Sequence, residues 1–285
     1  MPIMRETFLS SVSYIARILP QSARQALVHC PPLARLIRRS IDVLAGEGLS
    51  VVEVAAGTLK GCPVLLNLKT EKSFWLGTYE SQLQAALGEF LHMGVTVYDV
   101  GANIGYMTLM IAHATGHSGR VFAFEALPAN VERIRKNAAL NRLTNVTVVS
   151  AAVADKTAPV TFLVHDSAGM GKTTDSGGGR NEQFRTEITI PGLALDEFVY
   201  RQGNPAPDAV KMDIEGGEVL ALPGMRRILE EHHPVLFLEL HGPQSQMVAW
   251  EILTAARYTL HAMEKGYPRI QSPEKSGWQA YVIAL

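Results

Sequence analysis

Two groups of residues in this 285-residue chain have types and spacing suited to chemistry. The first lies in V-Y-D-V-G-A-N-I-G at 97–105. Val95, Val97 and Val100 make a short β-type run, Asp99 stands near its end, and residues 106–114 are apolar enough for a buried helix. The pattern predicts a strand, a tight turn and a helix start. Gly101 permits a positive φ and close approach of the backbone to a ligand, and Gly105 is expected to let the helix pack against the strand it has just left. Ala102 and Asn103 stand where a dinucleotide fingerprint has its second glycine, so pyrophosphate is not the expected guest. Asp99 suits a ligand with a cationic amine. Glu125 closes the next strand, R-V-F-A-F-E, twenty residues past Gly105, where a carboxylate can accept from two ribose hydroxyls.

The second group spans K-M-D-I-E-G-G-E at 211–218 and P-V-L-F-L-E-L-H at 234–241. A strand over 208–213 ends in Asp213, which brings it to the strand ends where ligands of doubly wound sheets bind. Alternation puts Lys211 and Asp213 on one face. Glu239 and His241 are two apart on the following strand, hence also on one face, and a Glu inside so apolar a run needs a partner. Asp213 is the first candidate for a base that takes a proton from an acceptor, with Glu239 and His241 behind it. A structural role for His241 and a capping role for Asp213 remain open. Glu239 with Asp213 is also compatible with a divalent metal, although no metal ligand set is assigned.

These pieces resemble the FkbM family of class I S-adenosylmethionine-dependent methyltransferases, most of which methylate hydroxyl oxygens. The matching motifs are W-L-G-T-Y-E (75–80), D-V-G-A-N-I-G (99–105), F-E-A-L-P-A-N (124–130), N-x-x-x-N (137–141), A-A-V-A-D (151–155), K-M-D-I-E-G-G-E (211–218) and P-V-L-F-L-E-L-H (234–241). The resemblance implies an α/β, Rossmann-like fold with a seven-stranded, mostly parallel sheet and an antiparallel last strand. It implies S-adenosyl-L-methionine as cofactor, with Asp99, Gly101, Ala102, Asn103, Gly105, Glu125, Ala126, Ala152, Asp155 and Asp213 around it, and Tyr79 and Glu80 at its methionine end. Asp155 is equally readable as a residue of an ordinary turn. The implied acceptor is a hydroxyl of a small molecule or glycan, such as a sugar or a polyketide. An RNA ribose, a protein, or a non-catalytic nucleotide-binding role are the alternatives.

The elements that must position these residues follow in order. A helical extension is expected over 1–48, carrying six arginines, with a homodimer contact or substrate closure as its role. A β-hairpin around Ala56-Gly57 and a lead-in segment cover 49–80, and the methyltransferase domain covers 81–285. Helices are expected over 82–91, 128–140, 193–202 and 247–256, with a further one ending near Glu231, and strands over 145–152, 235–240, 258–263 and 279–284. The Gly/Ser/Thr-rich stretch 165–180 reads as a lid or acceptor-binding loop, and its G-K-T is not a phosphate loop, because Asp166 stands where the first glycine is required. Tyr267 and Trp278 are expected at the edge of the acceptor pocket.

Composition bounds the rest. Apolar residues make up 47% of the chain, enough for a large core. Twenty-six basic residues against 27 acidic ones leave no surplus to attract nucleic acid. Two cysteines, Cys30 and Cys62, without metal-site spacing suit a reducing compartment, and neither a secretion signal nor a membrane span is legible, so the cytoplasm is the expected location.

Overall fold

Short β-branched and aromatic runs alternating with apolar helices force a parallel sheet covered on both faces. The computed structural model describes residues 48–165, 171–173, 184–273 and 279–285. Residues 1–47 of the helical extension expected over 1–48, residues 166–170 and 174–180 of the loop expected over 165–180, and Trp278 lie outside the described residues. The chain divides into two compact units, Met1–Ser81 and Gln82–Leu285.

In the first unit, β1 (Ser50–Glu53) and β2 (Pro63–Leu66) pair antiparallel, followed by α1 (Lys72–Leu76). The hairpin is shorter than the sequence suggests and its connection wider. The reason is a crossing of two segments. A Cβ on Gly57 would lie 2.7 Å from the Gly77 carbonyl oxygen and one on Gly77 would lie 1.9 Å from that of Ala56, so residues 55–57 leave the ladder to pack on the end of α1.

α2 (Ser81–Phe90) begins at the boundary, with Ser81 inside the helix rather than as its cap. There follow β3 (Thr96–Val100), α3 (Tyr106–Thr115), β4 (Arg120–Glu125), α4 (Pro128–Leu140) and β5 (Val146–Ser150). The strand expected to run on to residue 152 instead leaves the sheet at Ala151, and β6 (Ala152–Val153) joins a separate sheet with β7 (Pro159–His165), β8 (Gly171–Thr173) and β9 (Phe184–Leu193), in the order β6-β9-β7-β8. Thus G-K-T, expected in a loop, is an edge strand antiparallel to β7.

The main rhythm resumes with α5 (Leu195–Tyr200), β10 (Ala209–Met212), α6 (Glu218–Ala221), a 3-10 turn (Pro223–Met225), α7 (Arg226–Glu231), β11 (Val235–His241), α8 (Gly242–Ala255), β12 (Leu260–Ala262) and β13 (Gln279–Ala284). The single helix expected to end near Glu231 is three pieces, because Pro223 has no N–H to continue the ladder. The seven strands of the main sheet run β12-β13-β11-β10-β3-β4-β5, and β13 is antiparallel to both its neighbours.

One face of the sheet packs Tyr98, Phe124, Val210, Met212 and Leu238 against Leu195, Phe198 and Ile228. Order reverses between β3 and β10, which pair in parallel with Asp99 opposite Lys211. The carboxyl ends of β3, β4, β10 and β11 therefore share one edge, the position where this class of sheet binds ligands. No helix among the described residues is long and apolar enough to cross a membrane.

Candidate active site

The turn after β3 is built by its neighbours. Gly101 (φ 75°) is obligatory because a Cβ there would lie 1.9 Å from the Asp213 carbonyl oxygen, so the close approach is to the next strand's backbone. The amides of Gly101 and Ala102 both donate to the Phe124 carbonyl at 3.0 Å. Ala102 is buried with Ala123 and Ile134. Gly105 (φ 85°) faces Ile134 of α4, 3.2 Å from where its Cβ would be. This glycine serves helix-to-helix packing, not the helix-to-strand contact expected from sequence. Asn137 on α4 donates to the Ile104 carbonyl at 2.8 Å, which gives the first asparagine of N-x-x-x-N a role in holding the turn.

Glu125 is the centre of this half. Its Oε2 accepts from the Asn103 amide at 2.7 Å and its Oε1 from the Leu127 amide at 2.8 Å. Asn103 reaches that position in a left-handed conformation, φ 51°. Burial pushes the Glu125 carboxyl up to about 7, against the pull of the two backbone amides, the Asn130 side chain and the Lys211 charge. The Asn130 side chain is a third donor, which leaves the carboxylate acceptor capacity for one further donor such as a ribose hydroxyl.

Asp99 is placed otherwise than expected. It is fully buried, with Oδ2 accepting from the Thr108 hydroxyl at 2.6 Å and Oδ1 lying 3.3 Å from the Lys211 ammonium. Lys211 also donates to the Gly101 carbonyl at 2.9 Å. The carboxylate thus anchors the turn from behind instead of pointing out of it. Lys211 was legible as a face-mate of Asp213, but its pairing needed the β3–β10 register.

Of the remaining residues expected near the cofactor, Ala126 is half-buried, Ala152 is buried in β6 and Asp155 is exposed. Tyr79 and Glu80 belong to the first unit, where the Tyr79 ring lies 4.0 Å from that of Phe74 and Glu80 has φ 43°.

The second half sits at the ends of β10 and β11. The Asp213 amide donates to the Val100 carbonyl at 3.1 Å and so extends the ladder past β10. The chain then turns through Glu215 and Gly216, both with positive φ (53° and 92°). Glu218 opens α6 fully buried, accepting from the Ile214 amide at 3.2 Å and from the Ser245 hydroxyl at 3.0 Å. His241 meets four carboxylates. Its Nδ1 lies 3.9 Å from Asp213 and 3.6 Å from Glu218, and its Nε2 lies 3.3 Å from Glu239 and 3.7 Å from Glu215.

Burial works against charging this ring, but Glu218 and Glu239, with Asp213 and Glu215, outweigh it and push the pKa up to about 11. Burial also opposes ionising Glu239, yet His241 and Gln279 hold its carboxyl below the usual range. Gln279, opposite His241 on β13, donates to Glu239 Oε1. Of the three residues proposed for proton transfer, Asp213 has the most exposed side chain, 20% against 9% for His241 and 8% for Glu239. Glu218 and Gln279, which sequence reasoning missed, fix this cluster. The acidic spacing G-G-E was the only sign of the first, and nothing local signalled the second. Tyr267, expected at the acceptor pocket, donates instead to Glu89 at 2.8 Å, both within the second unit.

A parallel sheet with an antiparallel edge pair and its polar groups at the carboxyl ends of β3, β4, β10 and β11 is the architecture of a Rossmann-like methyltransferase domain. The profile of the methyltransferase FkbM domain matches residues 99–265, and the chain belongs to the FkbM methyltransferase family. Hexuronic acid methyltransferase AglP of Haloferax volcanii is 26% identical over 162 residues, 56% of this chain. The match spans 62% of the length of that relative. Among solved structures, methyltransferase FkbM from Methylobacillus flagellatus KT is 20% identical, with 75% of this chain and 52% of that one covered and a TM-score of 0.45. Precorrin-6y C5,15-methyltransferase from Geobacter metallireducens GS-15 is 17% identical, covering 72% and 88% respectively, with a TM-score of 0.44.

Proposed function

We propose that the protein is an S-adenosylmethionine-dependent O-methyltransferase acting on a hydroxyl of a sugar or glycan. The observation that carries this reading is the adjacency, on one sheet edge, of the buried Glu125 carboxylate and a carboxylate–imidazole cluster at Asp213, Glu239 and His241. They are joined by the close contact of Gly101 with the Asp213 backbone. Family membership supports the methyl donor, and a relative named for a hexuronic acid supports a sugar acceptor.

The donor's sulfonium already makes its methyl electrophilic, so the protein has to hold an oxygen in line behind that carbon and keep water out. In this reading Glu125 takes the ribose hydroxyls, and the turn 101–105 supports the donor from below. The acceptor hydroxyl sits against the second cluster. As the carbon–sulfur bond breaks and the carbon–oxygen bond forms, the hydroxyl proton passes to Asp213, the most exposed carboxylate of the three, and S-adenosylhomocysteine leaves. His241, held among four carboxylates, orients rather than accepts.

The test is incubation with methyl-labelled donor and uronate-containing glycans, followed by mass spectrometry. A base-stable label marks a methyl ether on a hydroxyl. A base-labile label marks an ester on the uronate carboxylate and removes the hydroxyl assignment. Asp213→Asn is expected to lower turnover by roughly 10²–10⁴ while donor affinity, read by calorimetry, stays within about threefold. Near-normal turnover would exclude Asp213 as the proton acceptor.

A further inference from the structure

We propose that Asp213, Glu239 and His241 bind one divalent first-row transition-metal ion such as Mn²⁺ through two carboxylates and one imidazole. One ligand atom from each lies within 4.8 Å of the others, and two bonds of about 2.1 Å to a single ion span up to about 4.2 Å, so small side-chain rotations complete the set.

Two orphaned atoms belong to this group. His241 Nδ1 and Glu239 Oε2 are buried without a hydrogen-bond partner, on side chains only 9% and 8% exposed. Leaving such atoms unpaired forfeits their hydration without return, a penalty that a bound cation would remove.

The spacing around the ring argues the same way. An imidazolium that satisfied these carboxylates by hydrogen bonding would draw them to about 2.7–2.9 Å, whereas the four stand at 3.3, 3.6, 3.7 and 3.9 Å. Four acidic groups around one imidazole also leave an excess of negative charge in a largely buried space, which a dication offsets. Supporting residues are in place: Gln279 donates to Glu239, and Glu218, fixed by Ile214 and Ser245, faces the ring. Such partners orient ligands in metal sites. The mixed nitrogen and oxygen set favours Mn²⁺, Fe²⁺ or Zn²⁺ over Ca²⁺ or Mg²⁺, which prefer oxygen alone.

Binding of the ion stands on these observations alone. Its use, to make the acceptor hydroxyl more acidic, rests on the methyltransferase reading. The full chain, stripped with EDTA and dialysed, is titrated with Mn²⁺ in the absence of methyl donor and followed by EPR. One ion per chain is expected, with nitrogen modulation in the pulsed spectrum. Asp213→Asn and Glu239→Gln are each expected to weaken Mn²⁺ binding at least tenfold, and His241→Gln to remove the nitrogen modulation, with circular dichroism checking the fold. If His241→Gln does not fold, His241→Asn replaces it, and the wild-type spectrum and the two carboxylate variants still decide. Failure of the wild type to take up stoichiometric Mn²⁺, a spectrum without nitrogen coupling, or nitrogen coupling that survives loss of His241 overturns the site. Calorimetry with S-adenosylmethionine on the same stripped protein separates the two readings. Donor binding without Mn²⁺ binding overturns the metal site alone, whereas Mn²⁺ binding without donor binding overturns the methyltransferase reading alone.

Discussion

At the scale of single residues, Glu125 makes the sharpest pH prediction. Its folded pKa of about 7 lies above the ordinary 4.5, so the folded protein holds a proton there that the unfolded chain releases. Stability from this group is therefore greatest below the unfolded value and falls as pH rises towards 7, by roughly 3 kcal/mol for a shift of this size. Urea unfolding at pH 5 and pH 8 should show this loss in the wild type and its absence in Glu125→Gln. Donor binding runs the other way, because ribose hydroxyls prefer the ionised carboxylate. Affinity for S-adenosylmethionine is expected to drop about tenfold per unit as pH falls below about 7. Glu125→Gln should weaken it by roughly 10–100-fold, since its amide NH₂ would face the amide of Asn103 or Leu127, and flatten that dependence. The position of Glu125 at a strand end was legible in R-V-F-A-F-E. Its raised pKa was not, since that comes from burial under residues distant in sequence.

At the scale of elements, the join between β3 and β10 decides how closely the two halves of the site approach. Gly101→Ala adds a methyl group 1.9 Å from a backbone oxygen at a φ of 75°, and neither strand end can give way. A loss of roughly 2–5 kcal/mol in urea unfolding is expected from the left-handed backbone and overpacking together. Gly88→Ala is the internal contrast. That glycine lies in α2 with nothing within 4 Å of its would-be Cβ, so the same change should stabilise by about 0.5–1 kcal/mol. Similar losses at both positions would mean that the strand-end contact is not what fixes Gly101. Most elements were readable because local signals agreed: Pro128 starts α4 where a proline-led helix is expected, and β13 matches its apolar run from 279 to 284. The failures came from partners far along the chain. β8 forms from G-K-T because β7 offers it an edge, and the segment after β5 changes sheets because β9 is there to pair with β6.

At the scale of the whole molecule, a ligand that binds only the folded chain must raise its melting temperature. S-adenosylmethionine at a hundred times its dissociation constant should add about 2.7 kcal/mol, a rise of roughly 5–10 °C for a chain of this size. Differential scanning fluorimetry with S-adenosylmethionine and with NAD in parallel checks this. An equal response to both, or none to the first, would count against the donor.

The sequence by itself determined the class of fold and the strand ends at which the polar residues gather. Apolar periodicity, glycine turns and acidic strand ends are local, and each is dictated by residues within a few positions of one another. Only the tertiary structure decided what those acidic residues do. Asp99 turned inward because the register of β3 and β10 sets Lys211 opposite it, and His241 became the hub of four carboxylates because the turn after β10, the start of α6 and the end of β11 meet there. Electrostatic environment depends on through-space neighbours, and those neighbours are chosen by sheet order, which no short stretch of sequence contains.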